Sequence, residues 1–145
     1  MDTNMKILWV DDDPEYTEGI LRKFKKAGYQ IINALDKKTA VEILKKEQDF
    51  RFLLLDVIIP NDYNASVKSS DTDKSSNYLT VVISLLDELT KMGISLPVVV
   101  FSVVNEKNIL DIIEKTYNRI LIIPKSIKTS GEFYDQVISY LDSGV

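Results

Sequence analysis

Five short apolar runs punctuate the chain, at residues 7–10, 29–34, 52–55, 98–101 and 120–123. Four of them are nearly continuous rather than alternating, the pattern of strands buried on both faces of a parallel sheet. Between and after these runs apolar residues recur at helical spacing. The stretch 14–27 sets Ile20, Leu21 and Phe24 on one face and stops at Gly28, a residue suited to end a helix. Residues 37–47 repeat Ala40, Val41 and Leu44, and 77–92 repeat Leu79, Val82, Ile83, Leu86 and Leu89 before Gly93. Helices over 106–117 and 131–141 complete the set. Strand followed by helix, five times over, predicts a doubly wound α/β domain with helices on both faces of the sheet.

One segment breaks this rhythm. Residues 61–76, "NDYNASVKSSDTDKSS", hold five serines and three aspartates, with only Tyr63, Ala65 and Val67 apolar. Strand-to-helix loops usually run about 2–6 residues, so this is expected to be an inserted flexible loop within a single domain, 1–145. Asp71 and Asp73 form a D-x-D pair, but the glycine and the closing glutamate of a calcium loop are missing. A solvated loop is the better reading of that pair.

Composition narrows the chemistry. The chain is 45% apolar and 28% charged, ordinary for one soluble domain. A net charge of −4 gives no basic bias toward nucleic acid. No apolar run nears the ~20 residues of a membrane span, and the polar start lacks a signal peptide's apolar stretch. A cytoplasmic location is expected. There are no cysteines and no histidines, which removes thiolate sites, the commonest general base and the commonest transition-metal ligand. Any metal must then be held by oxygen, which favours Mg²⁺, Mn²⁺ or Ca²⁺.

In doubly wound sheets ligands bind beyond the carboxyl ends of the strands. Strand one delivers Asp11 and Asp12 there, "FLLLD" delivers Asp56, "VVVFS" delivers Ser102 and "LIIPK" delivers Lys125. Three carboxylates in proximity repel one another unless a cation relieves them. A hard divalent ion does so and leaves positions for waters and a phosphoryl oxygen. An aspartate beside it is a nucleophile toward phosphorus, and an ammonium and a hydroxyl supply charge neutralisation. Structural readings compete with each of these. Asp13 before Pro14 reads as a helix N-cap, for which loss typically costs ~1 kcal/mol. Trp9 reads as core. Lys125 also reads as a surface lysine and Ser102 as the start of a turn.

The stretches "ILWVDDDP", "FLLLDVIIP", "VVVFS" and "IIPKS" resemble, in order and context over nearly the whole chain, the receiver domain of two-component response regulators. The resemblance implies a flavodoxin/CheY-like five-stranded parallel sheet in the order 2-1-3-4-5 with five helices. It implies Asp56 as phosphoacceptor, and Mg²⁺ (or Mn²⁺) held by Asp11, Asp12, Asp56 and the backbone carbonyl of Ile58, Asp12 directly and Asp11 through water. Ser102 would be the hydroxyl that turns toward the phosphoryl group, and Lys125 the cation that pairs with it. The partners implied are a sensor histidine kinase or histidine phosphotransfer protein and a downstream protein, with a homodimer compatible and no nucleic acid or membrane contacted. Activity would be limited to self-phosphorylation and slow autodephosphorylation.

The sequence departs from that pattern in four places. Val103 replaces the usual small residue after Ser102, and Ser126 follows Lys125 where a proline is usual. Ile122 stands where a strand-five aromatic often reports the switch, and the 61–76 insertion follows directly on "DVIIP". Two other readings accompany the first. One is a pseudo-receiver that binds proteins without phosphorylation. The other is a phosphatase of the haloacid dehalogenase type, using Asp11 and Asp13, which would leave Asp56 unexplained.

Overall fold

The computed structural model describes residues 5–11, 18–57, 82–102, 107–124 and 129–143, with side chains for all of these except 18, 56–57, 102 and 107–110. The 61–76 insertion and the Asp13 cap lie outside the described residues. Five strands, β1 (Lys6–Val10), β2 (Gln30–Ala34), β3 (Phe52–Val57), β4 (Val98–Ser102) and β5 (Ile120–Pro124), form one sheet in the order β2-β1-β3-β4-β5. Every pairing is parallel. The helices among the described residues are α1 (Arg22–Lys26), α2 (Lys37–Lys46), α3 (residues 82–91), α4 (Lys107–Thr116) and α5 (Ser130–Asp142).

The continuous apolar runs have a direct cause: successive strand side chains point to opposite faces, and both faces are covered. On β1, Ile7 and Trp9 enter one layer and Leu8 the other, all at most 3% exposed. Phe52 and Leu54 alternate with Leu53 and Leu55 on β3 in the same way, as Val99 and Phe101 do with Val98 and Val100 on β4. One layer is closed by Leu21, Phe24 of α1 and Phe133 and Val137 of α5. Ala40, Val41 and Leu44 of α2 join Val82, Leu85, Leu86 and Leu89 of α3 and Ile113 of α4 in the other. Phe24 sits among rings, with centroids 5.2 Å from Tyr29, 5.4 Å from Phe52, 6.1 Å from Phe133 and 4.7 Å from Tyr134.

Both helix-ending glycines behave as expected. Gly28 has φ +100° and Gly93 φ +75°, the left-handed region that glycine enters without cost. Each closes a Schellman turn: Tyr29 N–H donates to Phe24 O at 3.0 Å and Gly28 N–H to Lys25 O at 3.0 Å. Likewise Ile94 N–H donates to Leu89 O at 2.9 Å and Gly93 N–H to Thr90 O at 3.1 Å. The expected helix over 14–27 is only partly matched. Within its described part, Glu18–Leu21 is a 3-10 turn and α-helix begins at Arg22. Gly19 lies in that turn, and its poor helix propensity favours the tighter coil there. Leu79 lies outside the described residues, while Leu85, absent from the expected face, is buried. Two side-chain caps also emerge: Asp36 accepts from Thr39 N–H at 2.8 Å to open α2, and Thr129 from Glu132 N–H at 3.0 Å to open α5.

Candidate functional site at the carboxyl edge of the sheet

Strand register decides which predicted residues share an edge. Val10 pairs with Leu55, so β1 passes into Asp11 one step beyond a pairing that β3 continues into Asp56. Asp56 pairs with Phe101 and Val57 with Ser102, and Ser102 pairs with Pro124. The backbones of Asp11, Asp56 and Ser102 therefore reach the same carboxyl edge. β3 and β4 run further than the apolar runs alone indicate, carrying Asp56 and Ser102 into the ladder. The side chains of Asp56 and Ser102 are not among those described. Asp12, Ile58 and Lys125 lie outside the described residues, as do Val103 and Ser126; Pro124, immediately before Lys125, ends β5.

Asp11 carries the strongest signal. It is 3% exposed, and it is the one buried charged residue among those described. A carboxylate excluded from water is costly unless its charge is compensated. Its backbone is held on the β2 side, where Asp11 N–H donates to Ala34 O at 3.0 Å. Asn33 Nδ2 donates to the carbonyls of Trp9 at 3.0 Å and of Asp11 at 3.3 Å. Both partners are carbonyl oxygens, so the nitrogen of the amide must be the atom that faces them. Asn33 was not among the expected site residues. The available signal is an amide near the carboxyl end of the run 29–34, directly after Ile31 and Ile32 and before Ala34.

Whole-fold comparison with solved structures gives concordant answers. The receiver domain of Francisella response regulator 1452 matches with TM-score 0.67 and 21% identity, over 98% of this chain and 100% of that one. A CheY-like response regulator receiver domain from Methanospirillum hungatei matches with TM-score 0.70 and 15% identity, over 97% of this chain and 96% of that one. The chain has the receiver-domain fold. The signal receiver domain of a signal transduction histidine kinase from Syntrophus aciditrophicus matches with TM-score 0.64 and 18% identity, over 97% of this chain and 91% of that one. No protein-family model and no curated protein sequence matches the chain. At such identities the likeness is one of fold.

Within this receiver fold the donor types at the edge suit a hard, oxygen-preferring divalent cation. Asp11 supplies one buried carboxylate, and the strand-end backbone brings Asp56 to the same edge. Among the described residues no three acidic, histidine or cysteine side chains gather into a metal cluster; Asp12 and the Asp56 side chain fall outside that description. Lys37 and Ser84, unremarked in the sequence, tie α2 to α3 through an Nζ to Oγ hydrogen bond of 2.6 Å. Ile122 pairs with Val100 and packs half-buried against the α2–α4 layer. No helix among the described residues is long and apolar enough to cross a membrane.

Proposed function

We propose that the chain is a phosphoacceptor receiver domain of a two-component phosphorelay, phosphorylated on Asp56 in a Mg²⁺-dependent reaction and signalling through altered protein contacts. The observation that supports it most is the buried Asp11 at the end of β1, one register step from the strand that carries Asp56, in a sheet of receiver order. Asp11, Asp12, Asp56 and the Ile58 carbonyl would hold the cation, which when bound offsets the charge of the carboxylates and of the incoming phosphoryl group. An Asp56 carboxylate oxygen attacks the phosphorus of a phosphohistidine on a sensor kinase or phosphotransfer protein. The P–N bond breaks, its electron pair stays on the imidazole, and that ring takes a proton from solvent. Lys125 brings an ammonium to the transferred group, and Ser102 a hydroxyl. With no histidine in the chain, the donor imidazole belongs to the partner.

Incubation with Mg²⁺ and acetyl phosphate tests this reading. Mass spectrometry should show one added phosphoryl group on the wild-type chain, none on Asp56→Asn and none after chelation by EDTA. An unmodified wild-type chain that also fails to respond to beryllofluoride would sink the proposal. It would favour a pseudo-receiver acting as a binding module, a reading to which Ile122, packed as an ordinary apolar residue in place of the switch aromatic, lends weight.

A further inference from the structure

We propose that the outer edge of β2 is a docking site for an extended acidic segment of a partner protein, which adds to the sheet as a further strand between the cations of α1 and α2. β2 is a terminal strand of the sheet, paired only with β1. Gln30 N–H donates to Met5 O at 2.7 Å, and Ala34 O accepts from Asp11 N–H at 3.0 Å. Main-chain groups alternate sides along a strand, so Gln30, Ile32 and Ala34 serve β1, and the N–H and C=O of Ile31 and Asn33 are directed to the outer edge. No hydrogen bond among the described residues reaches those outward groups. Exposed edges are usually blunted by charge or proline on the strand itself. β2 carries neither, being Gln30, Ile31, Ile32, Asn33 and Ala34. Leu35, directly after it, is 57% exposed and offers an apolar contact at the end of the same edge.

The charge on either side of this edge selects the partner. Of the chain's 18 cations, eight lie between Arg22 and Lys46, against two of its 22 carboxylates, Asp36 and Glu42. All eight belong to α1 and α2, which cover opposite faces of the sheet: Ile31 packs into the layer closed by α1, and Ile32 into the layer that contains α2. In the α1 layer α5 lies against β5, which leaves α1 on the β2 side. Arg22, Lys26, Lys45 and Lys46 are exposed and form no ion pair among the described residues. The opposite edge differs, since α5 carries Glu132, Asp135 and Asp142 and no cation. Like charge along both sides of the β2 edge repels a second β2, so copies of the chain do not pair there, while carboxylates are attracted. A strand projects alternate side chains to opposite faces, so an acidic segment paired with Ile31 and Asn33 presents carboxylates to α1 and α2 in turn. Nucleic acid and lipid headgroups match the charge but have no ladder of peptide groups to offer the two outward residues. The inference is independent of chemistry at Asp56.

Fluorescence anisotropy of the full chain with a labelled synthetic peptide of repeating Glu-Glu-Val-Val is the test, accompanied by amide hydrogen exchange read by NMR. The peptide should bind at low salt, and exchange at the N–H groups of Ile31 and Asn33 should slow. A peptide of repeating Glu-Glu-Pro-Pro has the same charge but cannot pair as a strand, and it should bind roughly tenfold more weakly. Arg22→Glu with Lys26→Glu, and Lys45→Glu with Lys46→Glu, should each weaken binding of the first peptide several-fold. Equal binding of the proline peptide, or undiminished binding by the charge-reversed variants, overturns the inference. So does an absence of binding by wild type, or tighter binding of oligothymidylate or of phosphatidylserine vesicles than of the peptide. Where a charge-reversed variant loses its cooperative melt, the proline peptide and the exchange rates of Ile31 and Asn33 decide the matter on the wild-type chain.

Discussion

At the scale of single residues, two buried polar side chains pull stability in opposite directions. Asp11 is 3% exposed beside a strand end that brings a second aspartate to the same edge. Asp11→Asn keeps the shape and removes the charge. In EDTA it is expected to raise stability by about 1 kcal/mol, since a carboxylate excluded from water carries a desolvation cost that the neutral amide largely avoids. On the proposed function, Mg²⁺ should raise the wild-type melting temperature and raise that of Asp11→Asn much less. Calorimetry with and without the cation reads both effects. Tyr117 is buried and well satisfied, its hydroxyl donating to Leu96 O at 2.6 Å, with Ile94 O at 3.3 Å. Burial pushes its phenol from 10.0 up to about 12, with Arg119 opposing. The folded state therefore keeps this proton after the unfolded chain has begun to lose it. The resulting stability is complete below pH 10 and is lost as pH rises toward about 12. Tyr117→Phe should cost ~1 kcal/mol at neutral pH and flatten that alkaline decline, as urea unfolding at stepped pH would show.

Among the elements, helix starts and stops carry much of the definition. Thr129 accepts from Glu132 N–H at 3.0 Å and lies 3.2 Å from its carboxylate, joining the first turn of α5 at both ends. Thr129→Ala is expected to lower stability by about 1 kcal/mol in denaturant titration, whereas Thr129→Ser should retain most of it. At Asp36 the Thr39 N–H holds the carboxyl below its ordinary range, so this cap is intact at neutral pH and weakens as acid protonates it. The apolar runs placed all five strands to within two residues, because a sheet covered on both faces leaves few polar positions inside a strand. They could not place the true ends of β3 and β4, since Asp56 and Ser102 are polar residues that stay in the ladder for reasons of hydrogen bonding. Asn33 escaped for a related reason. Periodicity counts apolar positions and says nothing about which carbonyl an amide can reach. The 3-10 turn at Glu18–Leu21 likewise reflects backbone geometry that spacing does not encode.

For the molecule as a whole, one ring does most to join sheet and helices. Phe24 is fully buried among Tyr29, Phe52, Phe133 and Tyr134, so it links α1 to β3 and α5. Phe24→Ala is expected to cost about 3–5 kcal/mol, a large share of the roughly 5–15 kcal/mol that holds a typical domain together. A drop in the urea midpoint with loss of cooperativity would register it. The edge that carries the candidate site was legible because a parallel sheet gathers strand ends on one side, and so the polar residue closing each apolar run could be read off as a candidate. Strand order could not be read from periodicity and came through the resemblance. That order has a kinetic consequence. In the central strand, Phe52 must find Ile7 and Leu53 must find Val98, contacts separated by roughly 45 residues each, and no hairpin supplies a local nucleus. The pairing of β1 with β2 closes a much shorter loop around α1. Both ladders of β3 therefore close long loops, and the two halves of the sheet come together only through the strand that carries Asp56.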